Sequence, residues 1–291
     1  MLKILPQLFY QSPDVKKVLV DGLSCIIHKR ISRQVVHKEG YVSTHAITMV
    51  LKGHLRAEND NGLLTVVKEG QMIFLPKGLY SISDIIPDDD AFEAVVFFFT
   101  EDIITEFINS IQLKCNRQKC VSHLLMDVTE PIKEFTRSLL SLYGDGSANR
   151  HITRMKLLEF LHLMSKATPT DCFLGALATL NNKERRSLRA FMEVNFSKPL
   201  GIADYAYLTG RSLSSFRRDF ISQFGISPKQ WLIDKRLAKA RELLVNNQIH
   251  ISDVAAEVGY EDVSHFIKAF HKRFGIAPKQ YLMQMRKAVL V

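Results

Sequence analysis

Two stretches near the C-terminus combine basic side chains with small hydroxyl side chains at helical spacing. Ser214 and Arg218 lie four residues apart, and Ser264 and Lys268 repeat this pattern 50 residues later. Residues four apart share one face of a helix. Arginine and lysine can hydrogen-bond O6 and N7 of guanine, and small hydroxyl residues permit close approach to a major groove. A single such face would be interpreted as ordinary solvated surface, but two in tandem favour DNA recognition.

The two stretches belong to an internal repeat. Residues 212–232 and 262–282 align at an offset of 50 and are identical at ten of 21 positions. Upstream, residues 202–210 match residues 251–259 at an offset of 49, so the second copy has one extra residue after its glycine. Two copies are too few for a solenoid and indicate a duplicated module.

Each copy predicts a short helix, a turn that contains glycine, and a second helix ended by glycine. This arrangement is typical of the helix-turn-helix unit of DNA-binding proteins. Phenylalanines recur every four residues in the second helices and are expected in the core. The predicted segments are, in the first copy, residues 202–209, Gly210, a helix over 212–224 capped by Ser212, and Gly225, and, in the second, residues 251–258, Gly259, 262–274 and Gly275.

A longer helix is predicted between the two units. The sequence Ser-Pro-Lys-Gln that starts at Ser227 is an N-terminal helix signature, and apolar residues continue at helical spacing to about Asn246 or Asn247. About 18 residues span ~27 Å, which approaches the ~34 Å of one DNA turn when the units pack at the helix ends. The second copy has Ala277 in place of the serine, so its final helix, over residues 278–287, lacks that capping side chain.

The repeat region resembles the DNA-binding domain of the AraC/XylS family of transcription regulators. Residues 202–210, 212–232 and especially 253–281 carry the resemblance, which covers about residues 183–285. It implies double-stranded DNA as the partner and activation of transcription through contact with RNA polymerase. By position, it implies base or backbone contacts from Ser212, Ser214, Arg217 and Arg218 in the first unit and from Val263, Ser264, His265 and Lys268 in the second. Val263 stands where members often have a polar residue, which argues against a direct hydrogen bond there and leaves methyl contact with thymine as the alternative.

The charge distribution agrees with a polyanionic partner. The 291 residues carry a net charge of +9. Residues 182–291 hold 19 Lys and Arg against 10 Asp and Glu, which leaves 20 of each sign in residues 1–181. A confined positive field attracts nucleic acid or an acidic membrane surface, and charge alone does not separate the two.

The N-terminal part predicts many short strands, arranged as a small barrel or sandwich. Asn59-Asp60-Asn61-Gly62 is a strong hairpin turn between two of them. Residues 47–82 resemble the cupin-like sensing domain that is common in this family. The fold class is therefore α+β, with a cupin-like barrel or sandwich and following helices, then an all-α domain. The predicted strands are residues 18–20, 24–28, 47–51, 55–58, 64–67, 72–75 and 94–100.

The barrel does not show the ligand set of a cupin metal site. His37, His45 and His54 are too scattered, and Tyr80-Ser81 stands where the last ligand is expected. We therefore expect no metal and no cofactor, and an organic effector is favoured as the occupant of the barrel mouth. Control of the DNA-binding domain by this effector, or by a partner protein that acts through the N-terminal domain, is expected. A cupin-type metalloenzyme with an appended DNA-binding domain stays the alternative, and a non-specific architectural DNA protein is a second rival.

Three helices are expected after the barrel, over residues 101–111, 130–142 and 151–166. The last carries an apolar stripe, which either packs against the protein's own barrel or forms the seam of a homodimer. The stripe consists of Leu157, Leu158, Leu161 and Met164, broadened by Met155 and Phe160. The predicted organisation is a sensing and dimerisation domain over residues 1–166, a linker over 167–182 and a DNA-binding domain over 183–291. One or two helical turns over residues 173–180 are the alternative within the linker.

Two further features limit the class of protein. No stretch approaches the ~18–20 apolar residues of a membrane span, and the N-terminus lacks a signal-peptide pattern, so we expect a cytoplasmic protein without membrane contact. The four cysteines show no paired spacing for zinc or thioredoxin-like chemistry and are expected to be reduced thiols, with a Cys115–Cys120 redox switch as the alternative.

Overall fold

The computed structural model describes residues 3–33, 35–59, 62–86, 91–111, 124–143, 149–167, 170–180, 185–246 and 250–289. The chain divides into two compact units, Leu2–Asn181 and Asn182–Val291. The first combines β-sheets with helices, and the second is built from helices, as the sequence predicts.

The N-terminal unit contains two β-sheets. In the described residues, one sheet has the strand order β1-β4-β9-β6-β7 and the other has the order β11-β8-β5-β10-β3-β2. Only the β1–β4 pair is parallel among the described pairs. The strands are β1 (Lys3–Leu5), β2 (Val15–Asp21), β3 (Ser24–Ile31), β4 (Val35–Val42), β5 (His45–Lys52), β6 (His54–Asn59), β7 (Leu64–Lys68), β8 (Gln71–Leu75), β9 (Gly78–Ile85), β10 (Phe92–Phe99) and β11 (Leu124–Asp127).

The six-stranded sheet is buried on both faces, which explains its continuous apolar runs. In β10 the residues alternate between two cores. Phe92, Ala94, Val96 and Phe98 face the five-stranded sheet, in a cluster with Leu55 and other residues of that sheet. Val95, Phe97 and Phe99 belong instead to a cluster that contains the following helices. The unit is therefore three layers: sheet, sheet and helices.

Four helices form the third layer: α1 (Glu101–Ser110), α2 (Glu130–Leu142), α3 (Arg150–Ala167) and α4 (Thr170–Thr179). The first three were expected from the sequence. The structure decides how the apolar stripe on α3 is used: Leu157, Phe160, Leu161 and Met164 are buried against the protein's own sheet. The ring of Phe160 stacks on Phe97 at 3.8 Å. These side chains are not available as a dimer seam, although Met155 is exposed.

The segment predicted as a linker, residues 167–182, contains helix α4. Phe173, Ala176 and Leu177 are buried in the same cluster as the stripe of α3, and Phe173 lies edge-on to Phe74 with ring centroids 6.1 Å apart. This burial attaches α4 to the N-terminal unit, which extends to Asn181. The sequence prediction ended the sensing domain at residue 166, because the burial of this short helix depends on contacts with distant residues such as Phe74.

The hairpin predicted at Asn59–Gly62 is present as the antiparallel pairing of β6 with β7. The Asn59 amide donates to the Leu63 carbonyl at 3.1 Å, and Gly62 has a φ of +79°, a conformation that favours glycine. Residues 60 and 61 lie outside the described residues. All seven predicted strands lie within observed strands or overlap them, whereas β1, β4, β9 and β11 were not predicted.

The histidines and cysteines considered as metal or redox sites lie in different environments. The His45 ring is buried, and its Nδ1 accepts a hydrogen bond from the Lys77 amide at 3.2 Å. Within the described residues, no group of three or more His, Cys, Asp and Glu could hold a metal ion. Burial raises the pKa of the Cys25 thiol to about 12, so it stays protonated. The side chains of His37, Cys115, Cys120 and Cys172 lie outside the described residues.

The C-terminal unit consists of seven helices in the described residues. Their bounds are α5 (Leu188–Asn195), α6 (Ile202–Leu208), α7 (Leu213–Phe224), α8 (Pro228–Asn246), α9 (Ile251–Glu257), α10 (Val263–Phe274) and α11 (Pro278–Val289). Six were expected from the repeat and agree with it to within about two residues at nearly every end; α5 was not. In the described part of the chain, no helix has the length and apolar character needed to cross a membrane.

Helix α4 can be tested by truncating its central aromatic side chain. Phe173→Ala should lower the free energy of unfolding of the N-terminal unit by about 3–5 kcal/mol, because a fully buried ring leaves a cavity. The loss is measured as a shift of the urea transition followed by far-UV circular dichroism. Trp231, the only tryptophan, reports on the other unit, and its fluorescence transition should stay in place.

The matched control is Leu142→Ala, which removes an apolar side chain that is 69% exposed at the end of α2. It should change stability by no more than about 0.5 kcal/mol. An equally small effect of Phe173→Ala would show that α4 does not pack on the N-terminal unit.

Candidate nucleic-acid interface

Helix α7 is capped at both ends, by Ser212 and by Gly225. The Ser212 hydroxyl accepts a hydrogen bond from the Ser215 amide at 3.2 Å, which satisfies one of the free N–H groups of the first turn. At the other end Gly225 has a φ of +75°, and its amide donates to the Ile221 carbonyl. Glycine adopts this left-handed conformation without a Cβ clash. The sequence signals for both ends are therefore confirmed.

The buried face of α7 packs against the start of α8. Phe216 and Phe220 are fully buried. The Trp231 ring lies edge-on to Phe220 and Phe224, with centroids 5.6 and 5.1 Å away. Two members of the predicted phenylalanine stripe are thus core, whereas Phe224 is half-buried. The opposite face of α7 points outward.

Helix α10 repeats this arrangement with different side chains. The Asp262 carboxylate accepts hydrogen bonds from the Ser264 and His265 amides at 2.6 and 3.2 Å, and Gly275 ends the helix at a φ of +78°. Phe270 packs on Tyr281 at 5.8 Å, as Phe220 packs on Trp231 in the first unit.

The residues predicted to contact DNA lie on the outward faces of these two helices and at their N-termini. Seven of the eight are exposed: Ser212, Ser214, Arg217, Arg218, Ser264, His265 and Lys268. Val263, at the first position of α10, is half-buried. The Arg218 side chain is 76% exposed, with a long contact of 3.6 Å from its Nε to Asp219. The two sets of residues belong to one compact unit but to separate helices.

The caps give the two helix N-termini different electrostatics. In α7 the cap is a neutral hydroxyl, so the positive end of the helix dipole is free to attract a phosphate. In α10 the backbone N–H groups of His265 and Ser264 hold the pKa of Asp262 below its usual range. That carboxylate is therefore ionised at neutral pH and repels phosphate. We expect the N-terminus of α7 to contact phosphate directly. On α10, we expect basic side chains to make the phosphate contacts.

The turn before α7 is braced by a buried arginine. The Arg211 side chain is 8% exposed, and its Nη1 donates to the carbonyls of Arg186 and Thr209 at 3.0 and 2.8 Å. Its Nε donates to Asp219 Oδ2 at 3.2 Å, which ties the turn to the middle of α7. This contact fixes the angle between α6 and α7.

The second unit uses an aromatic ring for the same purpose. Tyr260 is buried in the turn after α9, and its ring lies 5.4 Å from Phe266 and 5.7 Å from His265. The turn preceding α10 is therefore held by apolar packing, whereas the turn preceding α7 is held by the hydrogen bonds of Arg211. The insertion of one residue after Gly259 brings this tyrosine to the position.

A second arginine joins the two helix-turn-helix units. Arg236, in the middle of α8, donates from Nε to the Phe196 carbonyl at 2.8 Å and from Nη2 to the Lys198 carbonyl at 2.6 Å. Its Nη1 donates to the Gly259 carbonyl at 3.1 Å. The first two acceptors precede the first unit, and the third lies in the turn of the second. One planar guanidinium therefore links the segment that leads into the first unit, and the turn of the second unit, to the helix between the two units.

Sequence reasoning missed Arg211 and Arg236. Arg236 donates to three backbone carbonyls of remote segments, and Arg211 donates to the remote Arg186 carbonyl as well as to nearby acceptors. A backbone carbonyl occurs in every residue type, so the sequence does not identify such acceptors. The one available signal is Arg236 itself, which stands next to Leu237 on the buried side of α8, where a charged residue requires partners.

Two family models match the chain. Residues 45–174 match the ExsA N-terminal regulatory domain, and residues 205–284 match a helix-turn-helix domain. The first match covers most of the layered N-terminal unit, and the second spans both units with the helix between them.

Similar proteins include bacterial regulators. The chain is 24% identical over 229 residues to the virulence regulon transcriptional activator VirF of Yersinia enterocolitica, covering 77% of this chain and 83% of the relative. It is 30% identical over 112 residues to the HTH-type transcriptional regulator ExsA of Pseudomonas aeruginosa, covering 38% and 40%. A crystal structure of unsaturated fatty acid bound ToxT from Vibrio cholerae aligns over 90% of this chain and 95% of that one, at 13% identity and a TM-score of 0.42.

The junction at Arg236 can be tested through Gly259. This residue has a φ of +87°, and an added Cβ would lie 2.4 Å from the Ser197 carbonyl oxygen. Gly259→Ala should destabilise the C-terminal unit by clearly more than the ~1–2 kcal/mol of a left-handed alanine, because backbone must also move. The measurement is urea unfolding followed by Trp231 fluorescence.

Gly275→Ala is the matched control, since Gly275 has a φ of +78° but no atom within 4 Å of the added Cβ. It should show only the conformational cost. Equal effects of the two substitutions would mean that the two units are not held together at this point.

Proposed function

Because this chain belongs to the AraC/XylS family of DNA-binding transcription regulators, we propose that α7 and α10 enter successive major-groove segments on one side of a duplex. In this proposal the first unit contacts bases or backbone through Ser212, Ser214, Arg217 and Arg218. The second unit uses Val263, Ser264, His265 and Lys268, with Val263 in contact with a thymine methyl group.

One observation carries this proposal: two capped helices of 12 residues present basic outward faces, while two phenylalanines of each, Phe216 and Phe220 in α7 and Phe266 and Phe270 in α10, are buried. Arg218 and Lys268 occupy equivalent positions and are both exposed. Helix α8 has 19 residues, which corresponds to ~28 Å at ~1.5 Å per residue. That length suits units that read sites about one helical turn apart.

We further propose that the N-terminal unit controls this DNA-binding unit. Support comes from the match to a regulatory domain over residues 45–174 and from a cavity in the sandwich that could hold an organic effector. The output we propose is activation through contact with RNA polymerase, because relatives such as VirF are transcriptional activators. The working form is a cytoplasmic homodimer, whose seam must use surfaces other than the buried stripe of α3.

An enzymatic role is the rival from another class. A cupin metalloenzyme requires converging metal ligands, and His45 is instead buried with its Nδ1 occupied by the Lys77 amide. We propose that the chain is not an enzyme and needs no cofactor. Metal analysis of the purified protein separates the two ideas, because stoichiometric iron, manganese or zinc would support the enzyme.

The groove assignment is tested by removing one basic side chain from each helix. Arg218→Ala and Lys268→Ala should each weaken binding to a selected DNA site by ~1–3 kcal/mol and relax the preference at one base position, if each reads a base. The site is first selected from random DNA with the wild-type protein, and affinities are then measured by fluorescence anisotropy at one salt concentration.

Lys239→Ala is the matched control, because it removes the same charge from the exposed side of α8, where Lys239 pairs with Glu242. It should change affinity little and leave sequence preference intact. If Arg218→Ala and Lys268→Ala behave like this control, the two helices do not read DNA as proposed.

Sequence specificity distinguishes a regulator from an architectural DNA protein. The wild-type chain should bind its selected site at least ~10³-fold more tightly than unrelated DNA at the same salt concentration. Competition binding with both duplexes measures this ratio. A ratio near one would favour the architectural role.

A further inference from the structure

The N-terminal unit contains a cavity of about 370 Å³ on the β1 side of the sandwich, near the lower end of the ~300–1,000 Å³ of small-molecule sites. A smaller apolar recess of about 30 Å³ shares several of its lining residues and lies deeper between the sheets. The shared residues are Leu5, Phe9, Lys29, Ile82 and Asp84. The cavity therefore has an apolar body with a polar group at its inner wall.

That polar group is an ion pair. Lys29 Nζ lies 2.5 Å from Asp84 Oδ2, and the two side chains are only 11% and 2% exposed. The ammonium also lies over the rings of Phe9 and Phe92, 5.5 and 5.4 Å from their centroids. Lys29 is thus well compensated by a carboxylate and two aromatic faces.

Asp84 is less well satisfied than Lys29. Its second carboxylate oxygen, Oδ1, is buried and has no hydrogen-bond partner among the described residues. A buried carboxylate oxygen without a donor is costly. A molecule in the cavity that carries an N–H group could supply the missing hydrogen bond.

The outer part of the cavity is acidic. Asp14 and Glu39 also line it and are exposed at its rim. Lys29 and Asp84 compensate each other within the lining, and the Asp14 carboxylate adds negative charge at the rim. A field of this sign attracts cations to the entrance and disfavours a second anion inside.

We propose that this cavity binds a protonated amine with an apolar body, such as an alkylammonium ion. Its hydrocarbon part lies against Leu5, Phe9 and Ile82, and its ammonium donates to Asp84 Oδ1. This inference deepens the effector role proposed above by naming the chemical class of the effector. A carboxylate ligand fits less well, because it would compete with Asp84 for Lys29 and add charge to an acidic lining.

The proposal is tested by isothermal titration calorimetry of the full chain with three ligands of equal length, octylamine, octanol and octanoate, below their aggregation concentrations. Octylamine should bind at least tenfold more tightly than the other two. Equal or tighter binding of octanol or octanoate, or no binding of any of the three, would overturn the proposal.

Variants of the ion pair locate the site. Asp84→Asn should reduce octylamine affinity about tenfold, whereas Glu69→Gln, which neutralises an exposed carboxylate outside the cavity lining, should leave it unchanged. Because Asp84→Asn leaves Lys29 buried without its counterion, it could impair folding. The double variant Lys29→Met/Asp84→Leu removes both charges and should bind octylamine no better than octanol. A retained tenfold preference in the folded double variant would overturn the proposal.

These measurements contain no DNA. Failure of amine binding would therefore leave DNA recognition by α7 and α10 intact, and failure of DNA recognition would not alter the calorimetric result.

Discussion

The three hydrogen bonds from Arg236 are the contact on which the DNA-binding unit depends. Two tandem helix-turn-helix units recognise a longer site than one only if the angle and distance between them are restricted. The Arg236 guanidinium supplies that restriction, because its donors reach carbonyls on both sides of α8 within 3.1 Å. Guanidinium is always charged and planar, so it holds several acceptors in one geometry. Lysine could not replace it with equal effect.

In the N-terminal unit, strand β10 contributes side chains to two cores, one between the sheets and one under the helices. Phe98 of β10 lines the deeper recess between the sheets, and its neighbour Phe97 stacks on Phe160 of α3. Packed interiors transmit displacement because they contain few voids. A molecule that enters between the sheets therefore presses on the same strands that support the helices. This arrangement gives a physical route from an occupied cavity to the helical layer that precedes the DNA-binding unit.

The sequence predicted the features that local chemistry determines. Ser212, Gly225 and Gly275 fix helix ends through their own conformations, and the spacing of Phe216 and Phe220 identified the buried face. It missed strand β4, where a His-Lys-Glu-Gly run interrupts the apolar pattern, and it missed the burial of α4, which depends on contacts with distant residues such as Phe74. The exposed candidate residues were predicted correctly as surface, but Arg236, Arg211 and the Lys29–Asp84 pair require tertiary partners that no local pattern reveals.

The central claim is that one chain reads two major-groove segments from a single rigid unit. Hydroxyl-radical footprinting combined with guanine methylation interference on a selected duplex tests it most directly. Two clusters of interfering bases are expected about 10–10.5 base pairs apart on one side of the DNA, and the Arg218→Ala and Lys268→Ala proteins should each lose a different cluster. A single cluster affected by both substitutions, or protection without any interfering bases, would contradict it.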